Sequence, residues 1–108
     1  MIDVIANGET VTRVMEEGSL RRCGGQGDVV AGVMGVMNLW STRTVMDMPP
    51  GVVAATATSK IIRRAASRAF AKEQRGMTAM SIVTELPYVL DTLLGVCYKH
   101  IRIESHQV

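Results

Sequence analysis

The chain has 108 residues, which bounds it at one domain, and its formal charge of +2 is too small to argue for nucleic acid on its own. Apolar residues make up 47% of it, mainly Val, Ala, Met, Leu and Ile, with one Phe, one Trp and two Tyr. That composition suits the buried faces of helices and strands in a larger α/β body. The two cysteines, Cys23 and Cys97, form no CxxC pair, which excludes a disulfide-stapled secreted scaffold and favours a reducing compartment.

Met1-Ile2-Asp3-Val4 lacks the basic start and apolar run of a signal peptide. The longest apolar stretch, 29–40, contains Gly32, Gly35 and Asn38 and falls short of the roughly 20 residues that span a bilayer. The expectation is a soluble, cytoplasmic protein, with a mitochondrial location open if a longer N-terminus precedes Met1.

Asp3-Val4-Ile5-Ala6 and Thr10-Val11-Thr12-Arg13-Val14-Met15 flank Asn7-Gly8. Asn-Gly between β-branched runs predicts an antiparallel hairpin, since both residues tolerate positive φ. Residues 18–27 then form a loop. A helix is expected from Gly27 or Asp28 to Leu39 or Trp40. Its apolar residues (Val29, Val30, Val33, Met34, Val36, Met37, Leu39, Trp40) cover nearly the whole circumference, which predicts burial on most sides. Gly32 and Gly35 weaken that helix, and close approach of a neighbouring helix or ligand is the expected compensation.

Residues 41–50 read as a connection, and Pro49-Pro50 marks the entry to a second helix over 51–74. Ile62, Ala65, Ala66, Ala69 and Phe70 make one apolar stripe on it. Lys60, Arg63, Arg64, Ser67, Arg68 and Lys72 occupy the other faces and read as a solvated surface. RNA binding by them is disfavoured, because no aromatics are interleaved for base stacking. Gly76 is the expected stop.

Thr78 can N-cap a third helical region with Met80, Val83 and Leu86 on one side. Pro87 is expected to break or restart it, before Val89, Leu90, Leu93 and Leu94 continue the apolar pattern. The organisation expected is one segment over 1–98 and a polar, frayed tail over 99–108. A lone hairpin is marginal in water, and the first helix has few partners here. The expectation is therefore the C-terminal part of a longer α/β protein, or the product of a truncated gene model.

Most of the functional information lies in Arg21-Arg22-Cys23-Gly24-Gly25-Gln26-Gly27-Asp28. A helix N-terminus carries unpaired N–H groups and partial positive charge, so anions bind there. Glycines let the backbone approach a phosphate closely. A carboxylate beside that cradle can take a proton from a hydroxyl attacking phosphorus. The same string also suits a plain tight turn followed by an N-cap. It is not a Walker A loop, because the Lys-Ser/Thr ending is missing, and it lacks the glycine spacing of a dinucleotide fingerprint.

With its hairpin before and its glycine-containing helix after, the loop resembles the anion-hole motif of the ribokinase-like superfamily. Arg21 to Asp28 with the following Val-Val-Ala-Gly-Val-Met-Gly resembles, more narrowly, the eukaryotic ATP-dependent NAD(P)H-hydrate dehydratases. Ser81-Ile82-Val83-Thr84-Glu85-Leu86-Pro87-Tyr88-Val89-Leu90 is similar to that family's closing helix. The resemblance covers nearly the whole chain and roughly the last third of a family member.

It implies the C-terminal part of a three-layer α/β/α fold, a hairpin followed by three helices. It also implies a repair reaction, in which ATP phosphorylates the 6-hydroxyl of hydrated NADH or NADPH and loss of phosphate restores the ring. By position, Asp28 would be the base and hydrate contact. Gly18, Ser19, Leu20, Arg21, Arg22, Cys23, Gly24, Gly25, Gln26 and Gly27 would form the ATP-contacting stretch. The glycine backbone would meet the phosphates, and Arg21 or Arg22 would supply charge. Another ribokinase-like kinase of a small hydroxylated metabolite, or a non-enzymatic helical module, remains open beside this reading.

Cys23 sits near a helix start and two arginines, but with no His nearby in sequence it reads as a spectator. His100 and His106 have no Cys, Asp or Glu at ligand spacing, so no protein metal site is expected, and magnesium would arrive on the nucleotide. The expected partners are ATP and the NAD(P)H hydrate, without nucleic acid or membrane and with a homo-oligomer left open. The eight methionines read as core filler.

Overall fold

The computed structural model describes residues 2–43 and 47–107, with side chains described through Leu93. Leu94, Cys97, His100 and His106 therefore lie outside the described side chains. The order is β1 (Asp3–Ala6), β2 (Val11–Val14), α1 (Gln26–Thr42), α2 (Pro50–Glu73), a 3-10 turn (Gln74–Gly76) and α3 (Ala79–Gln107).

β1 and β2 pair antiparallel, with Asp3 opposite Val14 and Ala6 opposite Val11. The turn between them is four residues long rather than a two-residue Asn-Gly turn. Asn7 Oδ1 accepts the N–H of Glu9 at 3.0 Å and of Thr10 at 2.8 Å, so its side chain closes the turn. Only Gly8 takes a positive φ there, +93°. Alternation sends Asp3, Ile5, Thr12 and Val14 toward α2, with Val14 fully buried, and leaves Val4 and Val11 outside.

α2 is the centre of the molecule. Ala54, Ile61, Ala65, Ala66 and Ala69 are buried in one core with Met77, Ile82 and Val89. The alanine stripe expected from the spacing is therefore the core-facing line, with Phe70 packed beside it. Pro50 starts α2 at the first turn, where its missing N–H costs nothing. It is Gln74 at φ +52° that ends the helix, two residues before the expected Gly76.

Three expectations are corrected on the helices. Four basic residues of α2, Arg63, Arg64, Arg68 and Lys72, are fasteners rather than a solvated face, whereas Lys60 is exposed as expected. Arg63 pairs with Asp3 at 3.1 Å, Arg64 with Glu16, and Lys72 with the buried Glu85 at 2.7 Å. Arg68 lies 3.5 Å from the same Glu85 and stacks 3.7 Å from the Tyr88 ring centre. They tie the hairpin and α3 to α2.

α3 runs from Ala79 to Gln107 without the break expected at Pro87. Pro87 is on the exposed side, where the bond it forfeits can be met by water. The buried line of α3 is Ile82, Glu85 and Val89, whereas Met80 is 67% exposed. Thr78 does stand at the N-cap position, and its own N–H donates to Ser81 Oγ at 3.0 Å, one half of a capping box.

The third correction concerns α1. It is apolar all round, yet only Met37 and Ser41 are buried. Val36, Leu39 and Trp40 are each about half exposed. A Cβ added at Gly32 or Gly35 would meet nothing within 4 Å. The close neighbour expected at those glycines is thus not among the described residues.

Candidate functional site

The loop between β2 and α1 lies along a groove of about 1220 Å³. β1 forms one wall, α2 the floor through Thr58, Ser59 and Arg63, and α1 the other wall through Gly27, Val30 and Met34. Those three α1 positions are three and four residues apart and so share one face.

The structure divides the residues singled out by sequence. Gly18, Ser19, Leu20, Arg22, Cys23, Gln26 and Gly27 line the groove. Arg21, Gly24, Gly25 and Asp28 do not line it. Of the two arginines, it is Arg22 that faces the cavity. Asp28 is exposed at the third residue of α1, one step of about 100° around the helix from Gly27. Gly32, Gly35 and Leu39 continue its face, and all are exposed.

Local bonding explains how the turn holds its shape. Gly25 is the N-cap of α1 at φ +87°, a conformation that favours glycine. A Cβ on it would stand 3.3 Å from Ala79 Cβ, so Gly25 also lets α1 approach the start of α3. Gln26 N–H donates to the Cys23 carbonyl at 3.3 Å, and Asp28 N–H to the Gly25 carbonyl at 3.1 Å. The Gln26 side chain turns back so that its Oε1 accepts from Cys23 N–H at 3.4 Å. Among the described residues no acceptor takes the N–H of Gly25 or Gly27. Those two donors are the open ones among residues 25–28 at the positive end of a 17-residue helix.

Sequence reasoning missed several groove residues. Thr58 and Ser59 lie on the floor, with Asp3 bonded to the Ser59 hydroxyl. Their signal was present only as polar interruptions of an otherwise small-residue helix. The described residues contain no group of three His, Cys, Asp or Glu placed to hold a metal ion. No helix among them is long and apolar enough to cross a membrane.

A hairpin leading through a glycine loop into a helix, followed by two further helices, is a portion of a ribokinase-like α/β fold. The family model described as NAD(P)H-hydrate dehydratase matches residues 2–88, and the chain belongs to that family. Curated relatives called ATP-dependent (S)-NAD(P)H-hydrate dehydratase are similar to it. The Arabidopsis thaliana protein is 40% identical over 86 residues, which is 75% of this chain and 24% of that protein. The Ciona intestinalis protein is 35% identical, over 79% of this chain and 24% of its own length. The Entamoeba histolytica protein is 33% identical, over 87% and 32%. The chain thus spans about a quarter to a third of the length of these relatives.

Proposed function

We propose that this chain carries the phosphate cradle and the catalytic base of an ATP-dependent (S)-NAD(P)H-hydrate dehydratase. The observation that carries the reading is the junction of loop and α1. Gly27 faces the groove, and Asp28 stands on the adjoining open face. In-line phosphoryl transfer needs a donor and an acceptor on opposite sides of the moving phosphorus. A nucleotide in the groove and a hydrate on the Asp28 side would meet at that helix start.

In this reading the Gly25 and Gly27 N–H groups take charge that builds on the transferred group. Arg22 adds positive charge from the groove side. Asp28 accepts the proton of the 6-hydroxyl as that oxygen attacks the γ-phosphorus of ATP and ADP leaves. Hydroxide is a poor leaving group and phosphate a good one, so loss of phosphate then restores the nicotinamide ring. Magnesium, when bound, would come with the nucleotide phosphates and offset their charge.

The test is a chimera in which residues 2–88 replace the matching segment of the Arabidopsis relative. It should recover reduced-nicotinamide absorbance from the hydrate in an ATP-dependent way. Asp28→Asn in the chimera should lower kcat by about 10²- to 10⁴-fold with ATP binding retained, as for loss of a positioned base. Unchanged turnover in that variant would remove Asp28 from the mechanism. ATP consumption with other small alcohols, but not with the hydrate, would favour a metabolite kinase instead. The 108-residue chain alone should give no turnover.

A further inference from the structure

The segment between β2 and α1 contains no regular structure over residues 15–25, yet it carries most of the groove residues expected to meet ATP. A binding loop is effective only when its donors are held to a fraction of an ångström, and loops need outside support for that. The structure shows where the support comes from. Arg63 Nε donates to the main-chain carbonyl of Glu16 at 2.6 Å, two residues before Gly18. The same guanidinium reaches Asp3 on β1 at 3.1 Å. Its stem runs under Gly18, where a Cβ would lie 3.9 Å from Arg63 Cβ and Cγ. The Arg63 side chain is only 14% exposed and itself lines the groove.

We infer that Arg63 is a positioning residue for the nucleotide loop: it fixes the entry of residues 18–27 by holding the Glu16 carbonyl while Asp3 holds its other edge. The inference rests on the reading that this loop takes ATP. Its neighbour Arg64 provides the contrast, because it grips the Glu16 carboxylate and not the main chain. A glutamate carboxylate on three rotatable bonds transmits little constraint to the backbone, whereas a held carbonyl fixes the peptide plane itself. A planar guanidinium can serve carbonyl and carboxylate from separate nitrogens, which a lysine ammonium does with poorer geometry.

The experiment compares Arg63→Gln, Arg63→Lys and Arg64→Gln in the chimera of residues 2–88 with the Arabidopsis relative by ATP titration calorimetry, thermal unfolding, and amide exchange over residues 18–27. Arg63→Gln should weaken ATP about tenfold, since small misplacements of a binding group are costly. It should also speed exchange at residues 18–27, and Arg63→Lys should restore part of both. Arg64→Gln should lower the melting temperature comparably and leave ATP affinity within about twofold. Equal loss of ATP in both glutamine variants, in proportion to unfolding, would make Arg63 merely structural and overturn the inference. So would a folded Arg63→Gln protein with unchanged affinity and exchange. If the unaltered chimera binds no ATP, the nucleotide reading fails, and the exchange data still decide whether Arg63 holds the loop.

Discussion

α1 and α2 make opposite use of their residues. α1 is the more apolar by composition and buries only Met37 and Ser41. α2 carries five arginine and lysine residues before its last residue and yet buries eight positions, four of them alanines of the central stripe and its start. Apolar content sets how much surface a helix would lose water from favourably, and topology decides whether a partner is there to cover it. α2 is met by the hairpin, α1 and α3 together. α1 is met on one side by α2 and keeps Val36, Leu39 and Trp40 about half in water.

The widest expected gap between the two helices comes from truncating a large side chain in each. Ile61 on α2 is 1% exposed and sits in the core. Ile61→Ala should cost about 2–5 kcal/mol in denaturant unfolding, from lost burial plus a cavity. Leu39 on α1 is 51% exposed. Leu39→Ala should stay within roughly 0.5 kcal/mol, as surface changes do. Equal costs would mean that α1 finds a partner in solution, for instance a second copy of the chain.

Next in size is Gly25, the point where α1 begins against α3. Gly25→Ala imposes a side chain at φ +87° and brings it within 3.3 Å of Ala79 Cβ. The left-handed conformation alone costs about 1–2 kcal/mol in a non-glycine residue. The melting temperature should fall accordingly. Gly27→Ala, where a Cβ meets nothing within 4 Å, is the matched control. A loss of ATP affinity in Gly27→Ala without a loss of stability would assign the open N–H beside it to the phosphate.

The contrast between the helices also marks what the sequence could reveal. The alanine stripe of α2 was legible because its neighbours are within the chain and the period of a helix sets which residues face them. The burial of α1 was misjudged because periodicity reports what a helix can bury, not what is present to bury it. The roles of Arg63, Arg64, Arg68 and Lys72 were hidden for a related reason. Their partners Asp3, Glu16 and Glu85 are 13 to 60 residues away, and charge on a helix face looks the same whether solvated or paired. The glycine loop and Asp28 stood out as a string, since positive φ and a helix start are local requirements. That Gly27 lines the groove and Asp28 does not follows only from where β1 and α2 close it.

The smallest effect tests the α1 side of the comparison most directly. Gly32 lies on the exposed face behind Asp28, and an added Cβ there touches nothing. Alanine is favoured over glycine inside a helix by about 1 kcal/mol. Gly32→Ala should therefore raise the melting temperature of this chain, with no contact to lose. In the chimera with the Arabidopsis relative the sign should reverse wherever added surface lies against this face of α1, since a methyl group would hold that surface off. A stabilising effect in both settings would show that this face stays open, and that glycine at 32 serves access to Asp28 rather than packing. A destabilising effect in the chimera alone would show that α1 is a buried helix whose cover this chain does not carry.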